Sequence, residues 1–179
     1  LPAIALVVGP GLAGCSADEQ RTLMLTSALP RVTPQLVKAM SERDDVSALL
    51  ERLHRRHLFV ERHGGDEPSY QFHRLFKIFL AERARRTLPP RDRSDAAARA
   101  ATLLEQQGDA EDAITMHLAA SHWSAAARLV VLHARRLHDE GRWRTLRDAI
   151  AALPDRCLDD DPWLAYWAGD YGGRPLIDR

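Results

Sequence analysis

Hydrophobic residues recur along most of this chain at helical spacing, and two short runs between helices break the rhythm. Leu23, Thr26 and Ser27, with Leu25 beside them, make one stripe in residues 17–29, and Pro30 stops it. Ser16 stands ahead of that segment with Glu19 three positions on, the arrangement of a capping box. Thr33-Pro34 restarts a short helix to Met40, with proline at the first helical position. Val46, Leu49, Leu50 and Leu53 follow the i, i+3, i+4, i+7 rule behind Asp44 or Asp45 as the cap. Residues 59–62 and 70–72 then read as strands around the turn Gly64-Gly65-Asp66-Glu67-Pro68. A fourth helix is expected over 73–86, with Arg83, Arg85 and Arg86 complementing its C-terminus.

Leu88-Pro89-Pro90-Arg91 marks a boundary, because paired prolines cannot continue a helix. Helical hairpins are expected beyond it. Ala97, Ala100, Ala101 and Leu104 share a stripe closed by Gly108. Asp109 caps a helix that carries Ala113, Ile114 and His117 inward. Ser121 caps another, with Trp123, Ala126, Val130 and Ala134 inward. Leu146, Ala149, Ile150 and Leu153 mark a further helix stopped by Pro154, and a last one spans 161–168. Gln107-Gly108-Asp109 and Glu140-Gly141-Arg142 lie 33 residues apart. That is close to the roughly 34-residue period of TPR-type repeats. Alanine stripes let helices approach, and the tryptophans Trp123, Trp143, Trp163 and Trp167 are expected to fill the gaps. The expected fold is therefore mostly α: a winged-helix unit with a small β-hairpin, followed by TPR-like antiparallel helical hairpins. The domains are residues 1–15 as a ragged N-terminal segment, 16–88 as the winged helix, 92–170 as repeats and 171–179 as a tail.

Charge narrows the function. Acidic and basic residues number 25 each, so the chain has no overall basic footprint for nucleic acid. Arg52, Arg55 and Arg56, with His54 and His57, still gather on the third helix as a local phosphate or DNA contact. Glu51, Glu61, Asp66 and Glu67 dilute that field. Cys15 and Cys157 are too few for a disulfide framework and fit a reducing, cytoplasmic compartment. No run reaches the roughly 18 apolar residues of a membrane span.

The candidate chemistry is sparse. Residues 9–16 imitate a phosphate loop in their glycine spacing, but Cys15 stands where its lysine belongs. Leu12-Ala13-Gly14-Cys15 also imitates a lipobox, without the basic residues expected upstream. His54, His57, His63 and His73 lack the matched partners of a metal site. No nucleophile elbow is present, and no catalytic set is complete. Besides a regulatory role, the residues leave open an autonomous winged-helix DNA-binding protein, separable by a gel shift, and a TPR-like protein-interaction scaffold.

Several segments, in order, carry a resemblance. Leu49-Leu50-Glu51-Arg52-Leu53, Leu58-Phe59-Val60 and Tyr70-Gln71-Phe72-His73-Arg74-Leu75-Phe76 resemble the winged helix of MalT-like, LuxR-family ATP-dependent transcriptional regulators. Ala113-Ile114-Thr115-Met116-His117-Leu118 and Gly141-Arg142-Trp143-Arg144-Thr145-Leu146 resemble the helical repeats that follow in that family. Members join a P-loop ATPase core, a winged helix, a superhelical sensor and a C-terminal helix-turn-helix. The resemblance implies that this chain holds the middle parts. Its partners would be an upstream ATPase core and an effector or protein on the repeats, with DNA reached only through the C-terminal helix-turn-helix. It would itself hold no cofactor, ADP or ATP belonging to the parent. Related nucleotide switches have a Met-His-Asp motif whose histidine contacts the β-phosphate of ADP. Phe72-His73-Arg74 resembles it, which makes His73 the nucleotide-sensing residue, with Arg74 in place of the aspartate.

Overall fold

A computed structural model describes residues 12, 14–56, 59–64 and 68–172. Gly65, Asp66 and Glu67 of the expected turn, His57, and most of the phosphate-loop and lipobox segment lie outside the described residues. So does the tail from 173.

The chain is mostly helical with one small antiparallel sheet. The order is α1 (Ala17–Thr26), α2 (Pro34–Ser41), α3 (Val46–Arg55), β1 (Val60–His63), β2 (Ser69–Phe72) and α4 (Arg74–Thr87). Helices α5 (Pro90–Gln107), α6 (Ala110–Ala119), α7 (Trp123–Asp139), α8 (Trp143–Ala151), α9 (Asp155–Asp160) and α10 (Pro162–Gly172) follow.

The capping box opens α1 as the spacing expects. Ser16 N–H donates to Glu19 Oε2 at 2.9 Å, and Glu19 N–H donates to Ser16 Oγ at 3.2 Å. Arg52 reaches across from α3 to the same carboxylate. Burial works against the charge on Glu19, yet the bonds from Arg52 and Ser16 prevail and hold its carboxyl below the usual range. Ser16→Ala is expected to cost about 0.5–2 kcal/mol. Urea unfolding should read it as a lower midpoint at unchanged slope; an unmoved midpoint would mean the box does not support α1.

Helix α1 ends at Thr26, three residues short of expectation. Thr26 and Ser27 hydroxyls donate back to the carbonyls of Leu23 and Met24, at 3.1 and 2.7 Å. Such bonds compete with the helical ladder, so the chain turns before Pro30. Neither Asp44 nor Asp45 caps α3 with its side chain. Asp45 occupies the N-cap, but its carboxylate takes both Nε and Nη2 of Arg43, at 2.8 and 2.6 Å, and Asp44 pairs with Lys38. Strand β1 starts one residue late because Phe59 has φ 57°, a left-handed conformation no strand accommodates. Val60 pairs with Phe72 and His63 with Ser69. Val32 adds an isolated antiparallel bridge to Tyr70, a third short edge.

The helix break at Leu88-Pro89 falls where the prolines put it, but Pro90 already begins α5. Gly108 and Gly141 adopt φ 80° and 71° in matching turns between helices. Two expected caps differ. Asp109 sits at the N-cap of α6 without a capping bond, and its carboxylate binds Arg31 instead. Ser121 takes φ 59° in the turn, and His122 precedes α7. Pro154 does stop α8, yet it also opens the unexpected α9. Asp161 then caps α10, accepting from the N–H groups of Trp163 and Leu164. Tryptophans divide: Trp123 and Trp167 pack against the core, but Trp143 and Trp163 are 42% and 64% exposed rather than buried.

One hydrophobic core runs through both halves. Ala96, Ala97, Ala100 and Ala101 bring α5 against α2 on one side and α6 on the other. Arg99 of α5 donates to the carbonyls of Ala39 and Met40 at 2.8 and 2.7 Å, satisfying the open end of α2. The winged helix and the first hairpin thus share a helix interface.

Candidate functional site

His73 stands at the base of the hairpin, immediately before α4. Its N–H donates to Phe59 O at 2.8 Å, which closes the β-ladder. Its carbonyl accepts from Lys77 N–H at 3.0 Å, which opens the helix. Phe59, Phe72 and Phe76 form the floor beneath it. Phe72 meets Phe76 edge-on with centroids 5.5 Å apart, and Phe59 lies 6.1 Å from the imidazole. The imidazole itself is exposed. Leu75 N–H donates to Nδ1 at 3.3 Å. Nδ1 is therefore the acceptor nitrogen, and in the neutral ring the proton sits on Nε2. The backbone selects the tautomer that offers an outward N–H donor at a helix N-terminus, where negative charge is favoured.

Arg52 and Arg55 of α3, and Arg56 at its C-cap, go elsewhere. Arg52 pairs with Glu19, and Arg55 donates to Glu51 at 3.2 Å. Arg56 lies over Gly14, where an added Cβ would come within 3.0 Å of its guanidinium. Arg52 and Arg56 both lend positive field to Cys15, whose thiol is buried in the core. Burial, then Glu19, push that thiol up against them. The structure therefore gathers Arg52 and Arg56 on the segment before α1 and leaves Arg55 on its own helix face. His73 belongs to a separate locus.

The repeats offer several grooves. One of about 560 Å³ runs between α7 and α10, walled by Trp163, Tyr166 and Trp167 with His138 and the Arg135–Asp139 pair. One of about 420 Å³ lies between the start of α7 and α9, beside His122, Trp123, Arg156 and Cys157. Another, about 340 Å³, lies among α6, α7 and α8, with Thr115, Thr145 and Asp148 beside Ile114 and Leu146. Among the described residues no His, Cys, Asp and Glu cluster could hold a metal, and no helix is long and apolar enough to cross a membrane.

Sequence reasoning missed a charged junction between the halves. Arg31, beside the Val32 bridge, donates to Asp109 at 2.6 Å and lies 3.7 Å from Asp112. Lys77 of α4 donates to Leu29 O at 2.7 Å and lies in the field of Asp112. The Asp109-Asp112 spacing at a helix start was visible, but nothing linear connects it to positions 31 and 77.

The family model described as the MalT winged helix domain matches residues 11–92. Over these residues the chain is MalT-like. The MalT likeness extends further. The HTH-type transcriptional regulator MalT of Vibrio cholerae serotype O1 is 30% identical over 148 residues, covering 82% of this chain and 16% of that protein. Its counterparts in Vibrio parahaemolyticus and Vibrio campbellii are 28% and 26% identical over 147 and 148 residues, covering 82% and 83% of this chain. Alignments of that length run past the winged helix into the hairpins, so both halves of the chain are MalT-like. The chain spans about 16% of the length of these relatives.

Proposed function

We propose that this chain is the linking segment of a cytoplasmic MalT-like transcriptional regulator. Its winged helix reads the nucleotide held by an upstream ATPase core, and its helical repeats receive an effector or protein partner. The chain catalyses nothing itself; ADP or ATP belongs to the core, and DNA is bound through a C-terminal helix-turn-helix. His73 is the reading group. One observation carries this: the imidazole is exposed at the N-cap of α4 with Nδ1 engaged by Leu75, so Nε2–H projects as a donor suited to a phosphate oxygen. The relatives' name, transcriptional regulator, supports the wider role.

His73→Ala in the intact gene product is expected to weaken ADP binding about 10- to 100-fold, the worth of one hydrogen bond to a charged group. Isothermal titration checks it. An ADP affinity within twofold of the unsubstituted protein would overturn the assignment.

A further inference from the structure

The junction between winged helix and repeats is held in two ways of different character. The first lies along α5, whose alanine stripe packs on α2 and whose Asp92, Arg99 and Gln107 bond Arg21, the Ala39 and Met40 carbonyls and Gln35 of the winged helix. It fixes α5 and leaves the seat of α6 to be set by other contacts. The second contact is ionic and lies off α5, at the start of α6. It joins Arg31 of the winged helix to Asp109 and Asp112 of the first hairpin, while Lys77, bonded to Leu29 O in the Arg31 loop, lies in the field of Asp112.

This ionic contact is built against local preference. Asp109 gives up capping α6 to bind Arg31. Asp112 is half-buried next to Asp109, so burial and its like-charged neighbour push its carboxyl up, against the pull of Arg31 and Lys77. Lys77 is half-buried too, and burial holds its ammonium down although Asp112 opposes this. Departures from local rules that lack a local gain concentrate at functional positions. Lys77 is also one turn from His73, whose carbonyl its N–H bonds. Arg31 adjoins Val32, whose N–H and carbonyl pair with Tyr70 in the wing. Both cations therefore ride on the elements that carry the imidazole.

We propose that Arg31, Asp109 and Asp112, with Lys77 behind the Arg31 loop, form a latch that fixes the start of α6 against the winged helix. Through it a displacement of α4 and the wing reaches the repeats. The direction of transmission rests on the nucleotide reading of His73; the latch itself does not. A change in nucleotide state that shifts α4 loads Lys77 and the Arg31 loop together, and the two carboxylates carry the shift to the first turn of α6.

The test uses the intact gene product with Arg31→Asp, Asp109→Arg and the combined swap, and reads hydrogen exchange of the α6 amides with and without ADP. In the unsubstituted protein ADP is expected to change exchange in α6 at least fivefold, the lower end of ordinary allosteric coupling. Each single reversal should abolish that response while leaving ADP affinity within twofold, and the swap should restore it. An α6 response that survives both reversals overturns the latch, as does one absent from the unsubstituted protein or not restored by the swap. Failure of the His73 reading shows separately: His73→Ala would then leave ADP affinity unmoved, whereas the latch variants would still silence α6.

Discussion

Leu80→Ala is expected to lower the stability of this chain by about 2–5 kcal/mol. Leu80 is 0% exposed, on the inner face of α4 between Phe76 and Ala84. Helix α4 packs on α1, and its far end is pinned by Arg83 bonding Gln20 at 3.0 Å and by the Thr87 hydroxyl against Met24. A helix held at several points cannot collapse inward to fill the void, so the cavity cost adds to the lost transfer energy. In a chain of this size the melting temperature should fall by about 5–15 °C. Ile78→Ala, two residues away on the exposed face, should change stability by no more than about 0.5 kcal/mol. A loss below about 1 kcal/mol at Leu80 would mean that α4 does not close the core.

Ala100→Leu should cost about 1–3 kcal/mol by the opposite mechanism, overpacking. Ala100 is 0% exposed in the alanine stripe of α5, where helices α2 and α6 approach from either side. A leucine there must push α5 off α2, which strains the Arg99 bonds to Ala39 and Met40 and the Gln107–Gln35 bond beyond them. Thr102→Leu on the exposed side of the same helix adds similar bulk without a facing neighbour and should stay within about 0.5 kcal/mol. Chemical unfolding of the two variants side by side checks this. Equal midpoints would show that α5 does not bind the two halves together.

Much of this architecture was legible because its signals are local. The Ser16–Glu19 box, the proline opening α2, the Val46-Leu49-Leu50-Leu53 stripe and the turn glycines Gly108 and Gly141 act over four residues or fewer. His73 could be placed because a strand end and a helix start meet at it. The misread caps have two causes. Ser121 sits in a left-handed turn one residue too early, whereas the carboxylates of Asp45 and Asp109 go to guanidinium donors within reach. For Asp109 that donor is Arg31, 78 positions away. Trp143 and Trp163 were expected inside, as their size and apolarity favour, yet neighbours enough to cover them are not among the described residues. Arg52 sits on the basic face of α3, and its guanidinium bonds Glu19, 33 positions away.

Spacing along the chain alone determined the helices, the hairpin and the histidine between them, since backbone hydrogen bonds and capping close within a turn. Tertiary structure decided which charges pair with one another, how α5 joins the halves, and that Arg31 meets Asp109 and Asp112. The physical reason is reach: a side chain bonds whatever the fold sets within about 3 Å of it, and separation along the chain does not predict that distance.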